Sequence, residues 1–152
     1  MRAFHYFIAT GLGSGYTPGA PGTAGTILAW LIAYFLLPQD PALLIGVTLL
    51  IGAIGIWSAT MVERDLGKHD PGMVVVDEMV GMWLGLWLVP HHLWLFLIAL
   101  GLFRLFDIWK PFPINSIQKL PEGWGIMMDD VGAGIYTLLL VHLIRIFFFP
   151  GV

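Results

Sequence analysis

The sequence has no cysteine, which excludes disulfides and thiolate metal sites. It is also short of charge: 11% of its 152 residues are Asp, Glu, Lys or Arg, against about 25% in an ordinary soluble domain. So small a polar inventory does not cover a globule of this size, which argues against a water-facing fold and points to an integral membrane protein. The seven Lys and Arg are scattered and the net charge is -3, so no basic stripe suited to nucleic acid forms. The opening MRAFHYFIATGLGSG has one Arg and a short apolar stretch broken by glycines. It lacks a signal-peptide core and cleavage site and is expected to remain in the mature chain.

What is abundant is apolar: 58% of residues, with 14% aromatic and a mean hydropathy of +0.84. Five apolar blocks, 24–37, 43–62, 73–89, 93–106 and 131–149, are separated by proline turns at Pro38–Pro41 and Pro90. A helix needs about 20 apolar residues to cross a bilayer. Blocks two and five are long enough, block three almost so, and blocks one and four are short. The fold expected is all-α: a polytopic membrane protein with four to five membrane-embedded helices, forming one domain over residues 1–152. Loop charge supports five crossings with a cytoplasmic N-terminus. Arg2, Arg64, Lys68, Lys110 and Lys119 fall on one side, and the turns 38–42 and 90–92 have no Lys or Arg. Arg145 is the exception, near enough to the interface to snorkel.

Polar chemistry collects on that cytoplasmic side. An ionised carboxylate beside hydrocarbon is costly unless it is paired or binds a metal. Three acidic groups border apolar blocks: Asp77 and Glu78 in VVVDE, Asp107 in FRLFD, and Asp129 and Asp130 in IMMDD. Five converging acids would repel one another, and a hard divalent cation relieves that; oxygen ligands without cysteine favour Mg²⁺ or Mn²⁺ over zinc. The plainer alternative is that these acids cap helices or pair with Arg64, Arg104 and Lys110. Arg104, Asp107 and Lys110 follow at three-residue spacing on one helical face, as a metal ligand between two phosphate-binding cations or as an interfacial charge ladder. The segment TGLGSGYTPGAPGTAGT, residues 10–26, has six glycines and leads into block one. Its amides and the following helix start suit an anion, but no Lys follows the last Gly, so it is not a Walker A loop.

Other features read as structural. Gly81 and Gly85 form a GxxxG, a close helix contact. Trp83, Trp87, Trp94, Trp109 and Trp124 are expected near the interfaces. His91 and His92 are expected in water on the opposite side and His142 packed in its block, while His69, beside Asp70, is a candidate proton carrier.

Together, GSGYTPGAPGTAGT, DPGMVVVDEMVG, FRLFDIWKPFPI and GWGIMMDDVGAG resemble the bacterial phosphatidylglycerophosphatase A family. The resemblance runs from Thr10 to about Tyr136, with motif order and spacing intact. It implies a Mg²⁺-dependent phosphatase of the bacterial inner membrane that converts phosphatidylglycerophosphate in the bilayer to phosphatidylglycerol and inorganic phosphate, with its site facing the cytoplasm. On that reading Mg²⁺ is held by ligands drawn from Asp77, Glu78, Asp107, Asp129 and Asp130. Asp77, Glu78, Asp107, Asp130 and Lys110 carry catalysis, and Arg104, Lys110, Gly22, Thr23 and Thr26 bind the substrate phosphate. A carboxylate or His69 activates water, or an Asp attacks phosphorus directly.

Motifs of other lipid enzymes are missing: neither KxxxxxxRP nor SGH of the type 2 phosphatidic acid phosphatases, nor DGxxAR of the CDP-alcohol phosphotransferases, occurs. The alternative from another class is a small cation channel or transporter subunit using the acids as an ion site. It calls for polar groups on both sides, whereas the acids gather on one.

Overall fold

The computed structural model describes residues 1–37, 40–117 and 119–152. Among the described residues the α-helices are seven: α1 (Arg2–Ala9), α2 (Pro21–Leu31), α3 (Pro41–Leu66), α4 (Val76–Gly85), α5 (Leu93–Trp109), α6 (Ile114–Ile117) and α7 (Gly123–Phe148). A wide π-type turn over Ile32–Leu36 extends α2, and no strand occurs among the described residues. Of the turn expected at Pro38–Pro41, Pro38 and Gln39 lie outside the described residues.

Local chemistry sets the ends of these helices. Pro21 and Pro41 open α2 and α3, where a missing N–H costs nothing. Asp40 accepts from the Ala42 N–H at 2.9 Å, capping α3. Gly67, at φ 60°, ends it in the left-handed conformation.

The helices differ in extent from the apolar blocks. Block three is helical only over Val76–Gly85, and α1 and α6 lie outside the five apolar blocks. The last helix begins at Gly123 rather than Val131, so Asp129 and Asp130 lie inside α7 and do not cap it.

At the centre is α4, buried at every residue but Glu78. Its glycines let α7 approach closely. A Cβ on Gly81 would lie 2.6 Å from the Asp130 carbonyl oxygen, one on Gly134 would lie 2.5 Å from the Gly81 carbonyl oxygen, and Gly85 abuts Thr137. Contacts advance together along both helices, so α4 and α7 run parallel. Trp83 donates to the Ala29 carbonyl at 2.8 Å and Trp30 to that of Phe96 at 2.7 Å, tying α2 to α4 and α5. Trp83 is thus a core residue, not part of an interfacial belt; its indole is buried because its N–H has a partner.

Contacts of Gly55 with Val76 and Met127, and of Gly22 with Glu78 and Arg104, complete the arrangement. The N-termini of α2, α4 and α7 meet the C-termini of α3 and α5 at one end of the bundle. Two helices, α3 and α7, are long and apolar enough to cross a membrane, each about 39 Å at 1.5 Å per residue. Only 28% and 22% of their most apolar stretches are buried, so both turn wide apolar faces outward, with Leu49, Leu50, Leu139 and Ile146 among the exposed side chains.

Candidate active site

The end of the bundle where these helix termini meet encloses a cavity of about 440 Å³. It is lined by Gly19 to Thr23 before and in the first turn of α2, by Asp70, Gly72 and Val74 of the loop before α4, and by Asp77 and Glu78 of the first turn of α4. Arg104, Asp107, Ile108 and Lys110 at the end of α5, and Ile126, Asp129 and Asp130 of α7, complete it.

Its centre is acidic. One oxygen from each of Asp77, Glu78 and Asp130 lies within 4.8 Å of the others. Asp77 and Asp130 are buried, and they are adjacent because the Gly81–Gly134 contact fixes the helices one turn further on. Asp77 Oδ1, Glu78 Oε2 and Asp130 Oδ1 are all buried without a hydrogen-bond partner. Three such orphaned oxygens are costly unless something positive satisfies them. An all-oxygen donor set of this kind fits a hard divalent cation.

Around this centre the charges are paired. Arg104 bonds Asp107, and Lys110 bonds Asp129. The two acids expected among the metal ligands, Asp107 and Asp129, are therefore engaged by cations, although Asp107 also adjoins Asp130. The structure separates the proposed ladder into two pairs: Lys110 terminates α5 at φ 46°, which turns its side chain toward α7 instead of Asp107. Burial opposes the Lys110 charge, but the bond to Asp129, with Asp130 and Asp107 nearby, holds its pKa above the usual lysine value. The buried Nε of Arg104 has no partner, leaving a donor at the cavity.

The glycine segment contributes its last part. Gly22 has no room for a side chain, since a Cβ would strike the Glu78 carboxylate and lie 3.5 Å from Arg104 Nη1. Ala20, before α2, provides no side-chain cap, and the first amides of a helix have no carbonyl partner within it. Those of Gly22 and Thr23 therefore remain available where both residues line the cavity. Thr26 is different: it is fully buried, and its hydroxyl donates to the Gly22 carbonyl at 2.8 Å. It braces that turn and does not line the cavity.

Histidines are elsewhere. His69 Nδ1 lies 2.7 Å from Glu63 Oε1, and its side chain lines an adjoining cavity, not this one. His91, expected in water, stacks on Tyr34 with ring centres 4.3 Å apart and bonds its carbonyl at 2.8 Å. Packed as expected, His142 bonds the Trp87 carbonyl at 3.0 Å.

Asp70, Gly72 and Val74, like Ile108 and Ile126, line the cavity although no site role was assigned to them from sequence. The signal for the first three was the DPG turn one residue ahead of VVVDE: Asp70 sits at φ 48°, and such a turn folds the chain back onto the helix that follows.

A profile of the phosphatidylglycerophosphatase A family matches residues 7–145, which spans every element of this site. The chain belongs to the phosphatidylglycerophosphatase A family. It is similar to the phosphatidylglycerophosphatase A of Escherichia coli, 35% identical over 145 residues covering 91% of this chain and 82% of that one. It is also similar to the phosphatidylglycerophosphatase A of Haemophilus influenzae, 38% identical over 148 residues and covering 92% and 88% of the two chains. A relative in Bacteroides thetaiotaomicron, provisionally named a phosphatidylinositol-3-phosphatase, is 44% identical over 146 residues covering 91% of each chain. No solved structure matches. This member of the phosphatidylglycerophosphatase A family is accordingly a phosphatase, and its two long apolar helices make it a membrane-associated one. Nothing in the family or the geometry supports the cation-channel alternative: the acid cluster closes one end of the bundle.

Proposed function

We propose that the protein hydrolyses phosphatidylglycerophosphate to phosphatidylglycerol and inorganic phosphate, in a Mg²⁺-dependent reaction at the cytoplasmic face of the bacterial inner membrane. The observation that carries this reading is the cavity in which three carboxylates with orphaned oxygens face Arg104 and Lys110. Two cations opposite a metal-binding set suit a phosphomonoester, which brings two negative charges.

Asp77, Glu78 and Asp130 would hold the ion. When bound, Mg²⁺ supplies Lewis-acid polarisation of the phosphoryl oxygens. The chain's own groups do the rest. Arg104, Lys110 and the amides of Gly22 and Thr23 hold the phosphate oxygens and neutralise charge that builds on them. Asp107, kept in orientation by Arg104, takes the proton of the attacking water. Water oxygen bonds to phosphorus, the ester P–O bond breaks, and the freed glycerol oxygen receives the proton that Asp107 took.

A lipid phosphate at the membrane surface suits a site at the end of a bundle. The helix directions fit five alternating passes: α2, α4 and α7 run one way and α3 and α5 the other. On this reading α3 and α7 span fully, whereas α2 with its π-type extension, α4 and α5 are embedded, giving the four to five membrane helices of the polytopic fold. The Lys and Arg residues in the loops on the site side support a cytoplasmic orientation for that end.

The Bacteroides relative's name favours a second substrate, phosphatidylinositol 3-phosphate. Phosphate release by the purified protein in detergent micelles, measured with each lipid in turn and Mg²⁺ present, separates the two. The proposal expects phosphatidylglycerophosphate to have the higher kcat/KM, with phosphatidylglycerol as product. Preference for the inositol lipid would replace it.

A further inference from the structure

We infer that Glu63 is a positioning residue whose buried carboxylate holds the loop from Gly67 to Gly72 as one wall of the site; this rests on the phosphatase reading for its consequence, but not for its geometry. Glu63 lies in the last turn of α3, outside the acid cluster. It is only 7% exposed, although the neighbouring Arg64 and Asp65 are exposed. A carboxylate so buried needs partners. Both that it has among the described residues belong to this loop: Oε1 accepts from the Asp70 N–H at 2.9 Å and lies 2.7 Å from His69 Nδ1. Its backbone carbonyl accepts from the Lys68 N–H at 3.3 Å. One residue thus holds three successive loop positions.

The loop needs such support. Asp70 has a positive φ of 48°, uncommon for a residue other than glycine and sustained by its surroundings. Asp70 and Gly72 then line the cavity. Past them the chain is fixed again, by the Val74 N–H to the Pro71 carbonyl at 2.8 Å and the Val75 N–H to the Ala9 carbonyl at 2.8 Å. Two residues later come Asp77 and Glu78. On its other side the loop borders a second cavity of about 400 Å³, lined by His69 and Lys119 and sharing Asp70, Ile126 and Asp129 with the first. Glu63 therefore holds the partition between the two cavities and the approach to α4.

The test uses the full-length protein in detergent micelles, comparing Glu63→Ala and Glu63→Gln with wild type. Three quantities are read: kcat and KM for phosphatidylglycerophosphate, the rate of tryptic cleavage after Lys68, and thermal stability. Gln retains a carbonyl that accepts from the Asp70 N–H, and Ala does not. Glu63→Ala is expected to lower kcat/KM about tenfold and to speed cleavage after Lys68, as loss of a charged hydrogen-bond acceptor implies. Glu63→Gln should remain within about threefold of wild type in both, the loss expected when one neutral bond replaces a charged one. The inference is overturned if Glu63→Ala matches wild type, if Glu63→Gln is as impaired as Glu63→Ala, or if stability falls while kcat/KM and cleavage stay unchanged. A wild-type protein that released no phosphate from the lipid would defeat the phosphatase reading instead, and cleavage after Lys68 would still decide the role of Glu63.

Discussion

At the scale of single residues, the site divides into carboxylates with unmet bonding capacity and carboxylates already paired. Asp77 and Asp130 are buried, adjacent and short of partners, so each loses its reason to be charged there if no cation binds. Replacing either with Asn removes one oxygen of the proposed metal-binding set and a charge while keeping the shape. Asp77→Asn and Asp130→Asn are each expected to lower kcat by about a hundredfold or more, with the folded protein recovered at normal yield; activity within tenfold of wild type in both would point to a structural role. Lys110 is bound to Asp129 and lines the cavity. Lys110→Ala should raise KM by about tenfold or more through loss of a charged contact to phosphate, which steady-state kinetics on micellar lipid would detect.

At the scale of elements, the close packing of α4 on α7 sets the acids side by side. Gly81→Ala would drive a methyl group against the Asp130 carbonyl and the Phe103 ring. The expected cost is about 1–3 kcal/mol of stability, read as a lowered Tm in detergent, together with reduced activity. Gly101 in α5 has open space where a Cβ would go. Gly101→Ala should therefore be neutral or stabilise by up to about 1 kcal/mol. Equal losses in both variants would contradict the packing account. This contact was legible as a GxxxG, and the five acids were legible because charges stand out in apolar runs. The start of α7 was not. GWGIMM reads as loop because it holds two glycines, yet Gly123 is required by the Ile56 carbonyl pressed against it, a constraint from α3 that lies far away in sequence. Likewise Arg104, Asp107 and Lys110 have the spacing of one face, but Lys110 leaves it at the left-handed end of α5. Glu63 carries no local signal, since its partners form only once α3 and the following loop are folded.

At the scale of the whole molecule, helix directions, apolar outer faces and one charged end support the proposal that the bundle presents its cavity at a membrane surface. The absence of cysteine makes this orientation directly testable. Lys68→Cys, exposed at the site end, should react with a membrane-impermeant maleimide in inside-out vesicles and not in right-side-out ones. Val152→Cys, at the far end of α7, should do the reverse; labelling of both from one side would contradict the five-pass arrangement. The central claim is that Asp77, Glu78 and Asp130 hold the Mg²⁺ on which turnover depends. It is tested most directly by stripping the purified protein with EDTA and measuring phosphate release from phosphatidylglycerophosphate as Mg²⁺ is restored. The account predicts no release without the ion, recovery to the original rate with it, and little recovery in Asp77→Asn at any Mg²⁺ concentration. Full activity in EDTA, or an Asp77→Asn enzyme with wild-type Mg²⁺ dependence, would contradict it.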